Sequence, residues 1–429
     1  MVSSAFRFKP LSRKQRQILS WWTDSSPVRD AEGIIADGAI RSGKTLCMAL
    51  SFIMWSMERF NGQSFGMCGK TIGSFRRNVL SVLKQVLPGR GYRYTDKRAD
   101  NLLIVTHGDI TNYYYIFGGK DESSQDLIQG ITLAGILLDE VALMPESFVN
   151  QATSRCSVEG SKFWFNCNPA GAAHWFKKGW IDRIEQRGLL HLHFTMADNL
   201  SLSDQMRARY EAQYTGAFYD RYIRGLWVAA DGLIYDMFSR AVNVPQRLPP
   251  AEGSCYVSVD YGTQNPTCFL LWQKESGGER WCCLREYYFS GREAQSSGKG
   301  QQKTDSELAD DLQAWLQGIR PRQIIVDPSA ASFIAELRKR RLNVQSADNS
   351  VLDGIRRVGT LLRSGQLLFS ADCRRTLEEF TQYVWDSKAA ARGEDRPVKE
   401  HDHAMDAVRY FVNSLARGQA RGVRRPGNM

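Results

Sequence analysis

The sequence predicts a chain of the α/β class with two domains, each built on a sheet whose strands end in functional residues. Two observations lead to this prediction. An apolar run near residue 34 breaks into a glycine-rich loop that leads into a helical stretch. Beyond residue 250, three strands, a helix and a further strand that ends in an acid follow one another. With 429 residues, 43% of them hydrophobic, the chain has apolar material for two or three domain cores.

Charge and cysteine usage narrow the class of protein. The net charge of +10 favours a polyanionic partner without identifying it. The nine cysteines are scattered and form no C-x-x-C pair, so we expect neither a disulfide framework nor a zinc site, and a reducing cytoplasm fits best. The longest apolar stretch, residues 46 to 57, is too short to span a bilayer, and the N-terminus has no apolar signal region. We therefore expect no membrane or targeting segment.

The glycine-rich loop reads Gly-Ala-Ile-Arg-Ser-Gly-Lys-Thr and is typical of a phosphate-binding P-loop. Gly38 and Gly43 let backbone N–H groups close around phosphates. Lys44 would reach the β- and γ-phosphates, and the Thr45 hydroxyl would hold Mg²⁺. The sequence therefore predicts an ATP site, and its loop residues are Gly38, Arg41, Ser42, Gly43, Lys44 and Thr45.

A basic and aromatic segment precedes this loop, with a helix predicted from Ser12 to Trp22. Upstream of a P-loop, a glutamine such as Gln15 can read the edge of the adenine ring. The alternative is an amphipathic helix that packs Ile18 and Trp22 on the core. The two interpretations are compatible.

A second motif of the same domain is the apolar run of residues 134 to 138, which ends in Asp139 and Glu140. It is typical of a Walker B strand that is buried on both faces. Asp139 would hold the Mg²⁺ bound by Thr45, and Glu140 would polarise the water that attacks the γ-phosphate. The adjacent glutamate favours hydrolysis over phosphate transfer to a small molecule.

A third strand, residues 162 to 165, delivers Asn166 and Asn168 ahead of a proline. A polar side chain there can contact the γ-phosphate or its water, although asparagine before proline is also a common turn. Arg155 is a candidate arginine finger, and Arg41 competes for that role. An ordinary solvated arginine is the alternative for Arg155.

The middle of the chain separates two domains. Residues 198 to 230 contain a helical segment rich in arginine and aromatic residues, and apolar periodicity fades from residue 229 to 253, where three prolines occur. We place the boundary near Leu248. The predicted division is an ATPase domain (1–197), a helical segment and linker (198–247), a second domain (248–415) and a basic, disordered tail (416–429).

The second domain has the strand and helix order of a ribonuclease H-like nuclease fold. Asp260 follows its first strand, Asp327 follows a later strand, and a last helix begins near Glu400 and carries Asp406. Asp402 lies four residues before Asp406 on the same helix face, with His403 beside it. Glu286, on the third strand, is a weaker candidate for the same site.

Carboxylates that converge repel one another, so without a cation at least one would have to protonate. Two Mg²⁺ or Mn²⁺ ions would relieve this repulsion and clamp a scissile phosphate. The candidate ligands are Asp260, Asp327 and Asp406, and His403 or Asp402 could be a ligand or, for His403, a proton shuttle. Three solvated acids at element ends are the alternative.

Basic clusters surround this domain. Singly they are ordinary solvated faces, but together they suit sequence-independent contact with duplex phosphates. They are residues 338–341, 356–357, 374–375, the loop from Lys388 to Lys399, and the tail from residue 416.

The order of these motifs resembles the large terminase subunit of tailed double-stranded DNA bacteriophages. The resemblance runs from about Phe8 to Phe411 and rests on the Gln15 segment, the P-loop, the Asp139-Glu140 strand end, residues 166 to 171 and the nuclease pattern. It implies a RecA-like, ASCE-type P-loop ATPase domain with a small helical lid at residues 198–230, and a C-terminal ribonuclease H-like nuclease domain. One departure is that Arg41 sits immediately before Ser-Gly-Lys, where many relatives place an arginine earlier.

The resemblance also implies function and partners. The chain would hydrolyse ATP to move double-stranded DNA into the procapsid and would cut concatemeric DNA with metal ions. Its expected partners are the portal protein, the small terminase subunit and further copies of the chain. These copies would form a ring, expected to be a pentamer, and the chain would be a monomer in isolation. It would work in the cytoplasm of the infected bacterium and be absent from the mature virion. The alternatives are a helicase-nuclease of DNA repair or recombination and a non-catalytic DNA-binding protein with relic motifs.

Overall fold

The computed structural model describes residues 10–262, 265–291 and 302–422, and side chains up to residue 415. Its contacts divide the chain into two compact units. The main segment of unit 2 starts at Ala230, so residues 230–247, which the sequence predicts as linker, are packed as part of this unit. The Asn243 side chain, for example, is buried and donates to the backbone of Leu362 and Leu367. Unit 1 consists of Met1–Glu211, Ala217–Ala229 and Ala391–Glu394, and unit 2 of Ala212–Gly216, Ala230–Ala390 and Asp395–Met429.

Unit 1 is built on an eight-stranded sheet. Its strands are β1 (Gly33–Gly38), β2 (Ser64–Gly69), β3 (Arg93–Lys97), β4 (Leu102–His107), β5 (Ile110–Gly118), β6 (Gly135–Asp139), β7 (Lys162–Asn166) and β8 (Leu189–Phe194). The order is β3-β4-β5-β2-β6-β7-β1-β8. All neighbours from β5 to β8 run parallel, while β3, β4 and β5 pair antiparallel. Strands β1 and β6 are buried throughout, as their continuous apolar runs predict.

Parallel pairing brings the carboxyl ends of β1, β6 and β7 to one edge of this sheet, where Gly38, Asp139 and Asn166 lie. Helix α2 (Lys44–Arg59) leaves the same edge and packs on the sheet through an aromatic core in which the Trp55 and Trp164 rings are 4.7 Å apart. The helices of unit 1 are α1 (Arg13–Ser20), α2 (Lys44–Arg59), α3 (Ile72–Phe75), α4 (Ser81–Val86), α5 (Glu146–Ser154), α6 (Asp204–Glu211) and most of α7 (Gly216–Tyr222).

Unit 2 holds a six-stranded mixed sheet. Its strands are β9 (Ala251–Asp260), β10 (Thr267–Glu275), β11 (Trp281–Phe289), β12 (Gln323–Val326), β13 (Val344–Ser346) and β14 (Leu367–Phe369). The order is β13-β12-β9-β10-β11-β14, with β9, β10 and β11 antiparallel and the others parallel to their neighbours. The three antiparallel strands and the crossover to β12 have the order that the sequence predicts for a ribonuclease H-like fold.

The helices of unit 2 complete its core, and the last of them carries His403 and Asp406. Helix α14 (His403–Gly422) continues through residues 416–422 of the segment predicted as a disordered tail, and residues 423–429 lie outside the described residues. In the described part of the chain, no helix has the length and apolar composition to cross a membrane. The helices are α8 (Arg240–Asn243), α9 (Asp305–Leu316), α10 (Ala331–Lys339), α11 (Val351–Arg363), α12 (Arg374–Glu379), α13 (Ser387–Ala391) and α14 (His403–Gly422).

Candidate functional site

The P-loop connects β1 to α2 and encloses the ammonium group of Lys44. Gly38 has φ 122°, and a Cβ there would lie 2.0 Å from the carbonyl oxygen of Phe194, so only glycine fits. Lys44 Nζ donates to the carbonyl oxygens of Gly38 (3.0 Å) and Ala39 (2.7 Å) and to Asn168 Oδ1 (3.3 Å). Burial lowers the pKa of Lys44 to about 8. The loop therefore holds a cation where the β/γ-phosphates of a nucleotide are expected.

Asn166 joins the P-loop helix to the Walker B strand. Its side-chain amide donates to Thr45 Oγ1 (2.9 Å) and to the Asp139 carboxylate. Its own Oδ1 is buried and, among the described residues, has no hydrogen-bond partner. Burial, followed by the nearby charge of Glu140, raises the pKa of Asp139 to about 7. A hydroxyl, a carboxylate and an unpartnered amide oxygen are the hard oxygen donors that Mg²⁺ prefers, so these residues fit a magnesium ion.

Glu140 stands directly after the Walker B strand in a left-handed backbone conformation, with φ 59°. This conformation is unfavourable for a residue with a Cβ and persists where surrounding structure imposes it. Here a short turn that begins at Glu140 imposes this conformation, since Leu143 N donates to the Glu140 carbonyl oxygen (2.8 Å). Burial raises the pKa of Glu140.

Two residues predicted for nucleotide contact are engaged with the protein. Gln15 is 4% exposed, accepts from Ser12 N at Oε1 (3.0 Å) and donates from Nε2 to the carbonyl oxygen of Ser42 (3.2 Å). Gln15 therefore supports the P-loop backbone through this hydrogen bond. Arg41 is exposed, with φ 57°, and its guanidinium lies 5.3 Å from the ring centre of Tyr210.

Arg155 does not reach the ATP site of its own chain. It follows α5, and its carbonyl oxygen accepts from Leu133 N (2.9 Å), just before the first residue of β6. Asp139 lies at the opposite end of β6, so the Arg155 backbone is roughly 20 Å from it at the usual rise per residue. Within one chain, Arg155 therefore lies away from this site. A role at the site of a neighbouring copy stays a prediction.

Sequence reasoning missed a buried network around Asp37, directly before the P-loop. Asp37 is 1% exposed and accepts from His191 Nε2 (2.8 Å), His193 Nδ1 (3.1 Å) and Trp227 Nε1 (2.6 Å). Burial alone would raise the pKa of Asp37, but the hydrogen bonds from the two histidines hold it well below its usual range. The only signal in the sequence is an acid inside a buried apolar strand. The network ties the P-loop strand to β8 and to the segment that contains Trp227.

We expect Asp37→Asn to lower the free energy of unfolding of unit 1 by about 2 kcal/mol, because a charged acceptor of three buried hydrogen bonds is lost. Thermal and urea unfolding, each with and without bound nucleotide, measure the change in the free energy of unfolding. Asp24→Asn is the matched control, since Asp24 is 77% exposed and makes a surface ion pair with Arg59. Equal behaviour of the two variants would contradict a structural role for the network.

The predicted nuclease acids lie at neighbouring strand ends and on the helix beside them. β9 and β12 pair with Val259 opposite Val326, which makes Asp260 and Asp327 neighbours. Asp260 accepts a hydrogen bond from, or donates one to, His403 Nδ1 (2.9 Å), and Asp327 accepts from the hydroxyl of Tyr410. Both partners are on α14. Burial, opposed by the hydrogen bond to His403 and reinforced by the charge of Asp406, raises the pKa of Asp260 to about 6.

Asp402 and Asp406 face two cations. Lys399 Nζ lies 3.2 Å from Asp402 Oδ2 and 3.4 Å from Asp406 Oδ2, and Arg409 lies 2.8 Å from Asp406 Oδ1. Within the described ranges, no three His, Cys, Asp or Glu side chains are arranged to hold a metal ion as they stand. The raised pKa of Asp260, to which the negative charge of Asp406 contributes, fits converging carboxylates that complete their site with a divalent ion.

Glu286, a weak candidate for the nuclease site, caps a helix instead. Its carboxylate accepts from Arg375 N (2.8 Å), Thr376 N (2.9 Å) and Thr376 Oγ1 (2.8 Å), at the first turn of α12. Glu379 does the same for α14, accepting from Ala404 N (2.7 Å) and Met405 N (3.2 Å). Both carboxylates satisfy helix N–H groups that have no partner within the helix. Glu379 therefore positions the helix that carries His403 and Asp406.

The predicted basic clusters differ in what they offer to DNA. Arg340 is only 17% exposed and pairs with Asp310 and with Glu336 (2.9 Å), so it braces α10 rather than facing solvent. Arg356 pairs with Asp353 (3.0 Å) but keeps 31% of its side chain exposed. The sequence-level count of arginines therefore overstates the charge that is free for phosphates.

Comparisons with known proteins agree with this architecture. The family model "Terminase large subunit, T4likevirus-type, N-terminal" matches residues 35–241, and "Terminase RNaseH-like domain" matches residues 301–415. The chain is 24% identical over 308 residues to the terminase large subunit of Escherichia phage T5, a match that spans 66% of each chain.

Solved structures match over almost the whole chain. The large terminase of a thermophilic bacteriophage superposes with a TM-score of 0.89 at 55% identity, covering 95% of this chain and 100% of that one. The same thermophilic phage protein in complex with ATP-gamma-S gives a TM-score of 0.84 at 55% identity, over 94% of this chain and 99% of that one.

Proposed function

Because this chain belongs to the family of terminase large subunits, the DNA-packaging motors of phages with an ATPase and a nuclease domain, we propose specific roles for the residues of its two sites. The N-terminal site hydrolyses ATP to move double-stranded DNA, and the C-terminal site cuts DNA with divalent metal. The repair helicase-nuclease has no support, since unit 2 carries a mixed sheet with three antiparallel strands in place of a second P-loop domain.

At the ATP site, the P-loop amides and Lys44 bind the β- and γ-phosphates. Thr45 and Asp139, bridged by Asn166, would hold Mg²⁺, which neutralises phosphate charge when bound. Glu140 orients the attacking water and takes its proton as the bond to the γ-phosphorus forms and the bond to the β-γ bridging oxygen breaks. Asn168, which accepts a hydrogen bond from Lys44, would sense the loss of the γ-phosphate. If the arginine finger comes from the same chain, Arg41 is the candidate.

At the nuclease site, Asp260, Asp327 and Asp406 would hold Mg²⁺ or Mn²⁺, with Asp402 as a further ligand. The metal supplies charge stabilisation for the scissile phosphate. His403, which is hydrogen-bonded to Asp260, would accept a proton from the attacking water. Hydrolysis forms a bond from the water oxygen to phosphorus and releases the 3′ oxygen.

The partners of this motor follow from its family. Double-stranded DNA is gripped through phosphates, so binding should weaken steeply with salt. The portal of the procapsid, the small terminase subunit and a ring of further copies complete the machine in the infected bacterium. A ring also supplies the neighbouring subunit that Arg155 needs for a role as a finger in trans.

The observation that carries the proposal is the Asn166 amide, which holds the P-loop hydroxyl of Thr45 and the Walker B carboxylate of Asp139 together. The test is ATP hydrolysis and plasmid cutting by the purified full-length chain, with Mn²⁺, with Mg²⁺ and with EDTA. We expect Lys44→Ala to abolish ATP hydrolysis and to retain plasmid cutting. Cutting that persists in EDTA, after contaminating nucleases are excluded, would overturn the nuclease assignment.

A further inference from the structure

The two carboxylates at the start of α14 already share one cation, the ammonium of Lys399. It lies 3.2 Å from Asp402 and 3.4 Å from Asp406, both of which are nearly buried, with side chains 7% and 9% exposed. The Lys399 side chain itself is 61% exposed. A solvent-facing lysine thus neutralises two inward-facing acids that we assign to the nuclease metal site.

Arg409, the other cation at Asp406, is built into the protein. Its side chain is 2% exposed, and its Nη1 donates to the carbonyl oxygen of Asn349 (3.0 Å). Its stem packs so tightly on Gly354 that a Cβ there would lie 2.3 Å from Arg409 Cγ. Arg409 therefore cannot leave without unpacking α11 from α14, whereas Lys399 can leave by rotating its side chain into solvent.

The backbone before Lys399 is held in place, so only its side chain needs to move. Asp386 N donates to the carbonyl oxygen of Arg396 (2.8 Å), and Val398 N donates to that of Val384 (3.0 Å). Lys399 follows this paired segment directly. The ammonium consequently occupies the same position whenever the site lacks another cation. Its flexible four-carbon stem lets it move away without a change of the backbone.

We propose that Lys399 is an internal, displaceable cation of the nuclease site: it occupies the position of a divalent metal at Asp402 and Asp406, and after displacement it binds a DNA phosphate. This inference rests on the proposed nuclease function. A divalent ion carries twice the charge of the ammonium and accepts both carboxylates as ligands. At sufficient concentration it therefore displaces the Lys399 ammonium from Asp402 and Asp406. The released ammonium is then repelled by the metal and finds its counter-charge on the DNA backbone.

The first test measures metal affinity without DNA or turnover. Mn²⁺ binding is followed by electron paramagnetic resonance in proteins that all carry Asp139→Asn, which removes the contribution of the ATP site. Loss of one charge next to two carboxylates should tighten Mn²⁺ binding roughly five- to tenfold in Lys399→Met. Lys399→Arg keeps the charge and should stay within about twofold of the parent.

Lys388→Met is the matched control for this binding test. It removes the same charge from an exposed side chain on α13, eleven residues before Lys399 in the sequence. Its Mn²⁺ affinity should equal that of the parent. Unchanged or weaker Mn²⁺ binding by Lys399→Met would overturn the proposal, and thermal unfolding checks that each variant is folded.

The second test is plasmid cutting as a function of Mn²⁺ concentration. Lys399→Met should reach half of its maximal rate at a lower Mn²⁺ concentration than wild type, while its maximal rate falls because a phosphate contact is lost. If wild type neither binds Mn²⁺ at this site nor cuts plasmid, the proposed nuclease function fails. If wild type does both and the two Mn²⁺ titrations of cutting coincide, only the role of Lys399 fails.

Discussion

Glu140→Gln is expected to lower ATP hydrolysis roughly 10²- to 10⁴-fold while ATP affinity stays near that of wild type. Glutamine keeps the size of the side chain but cannot take a proton from the attacking water. The groups that bind the phosphates, Lys44 and the P-loop amides, are unchanged. Single-turnover hydrolysis and equilibrium binding of a fluorescent ATP analogue measure the two quantities separately.

Glu146→Gln is the control for this variant, because Glu146 is an exposed carboxylate at the start of α5 in the same domain. It should hydrolyse ATP at the wild-type rate. Wild-type hydrolysis by Glu140→Gln would remove Glu140 from the catalytic role, and lost ATP binding would show that the variant perturbs the strained backbone at this position.

Asp260→Asn should reduce plasmid cutting about a hundredfold or more, since it removes a proposed metal ligand and the charged partner of His403. Asparagine preserves the shape of the side chain, so the effect reports charge rather than packing. ATP hydrolysis should stay within a few-fold of wild type because its groups all lie in unit 1. Supercoiled plasmid relaxation and phosphate release, measured on one protein preparation, give both rates.

Asp310→Asn serves as its control, because Asp310 is a carboxylate of the same domain that is 68% exposed and pairs with Arg340. Its cutting rate should equal that of wild type. Full plasmid cutting by Asp260→Asn would refute the assignment of this acid, and a parallel loss of ATP hydrolysis would contradict the independence of the two sites.

The parts of this protein that sequence reasoning could predict are those in which functional residues are adjacent in the chain. The P-loop, with Lys44 and Thr45, is one continuous segment between a buried strand and a helix. Asp139 and Glu140 end a strand whose apolar run marks it as buried on both faces. Hydrophobic periodicity and composition indicate burial directly, so the strands that deliver these residues were predictable.

Contacts between distant segments were beyond such reasoning. Asp37 meets His191 across 154 positions, and Glu286 meets Thr376 across 90. Glu286 looked like a weak nuclease candidate because an acid on a strand has the same local pattern whether it faces a metal or a helix N-terminus. Arg155 shows the same limit, because its position after α5 did not reveal that it lies at the amino end of β6.

By itself, the sequence determined the fold class of both domains, the phosphate-binding loop and the set of acids from which the nuclease site is drawn. These properties depend on local pattern and on short spacing. Only the tertiary structure decided which carboxylates cap helices, which arginines are braced by acids, and that Lys399 neutralises Asp402 and Asp406. The physical reason is that the energy of a charge depends on its burial and on its neighbours in space, which the order of residues along the chain does not specify.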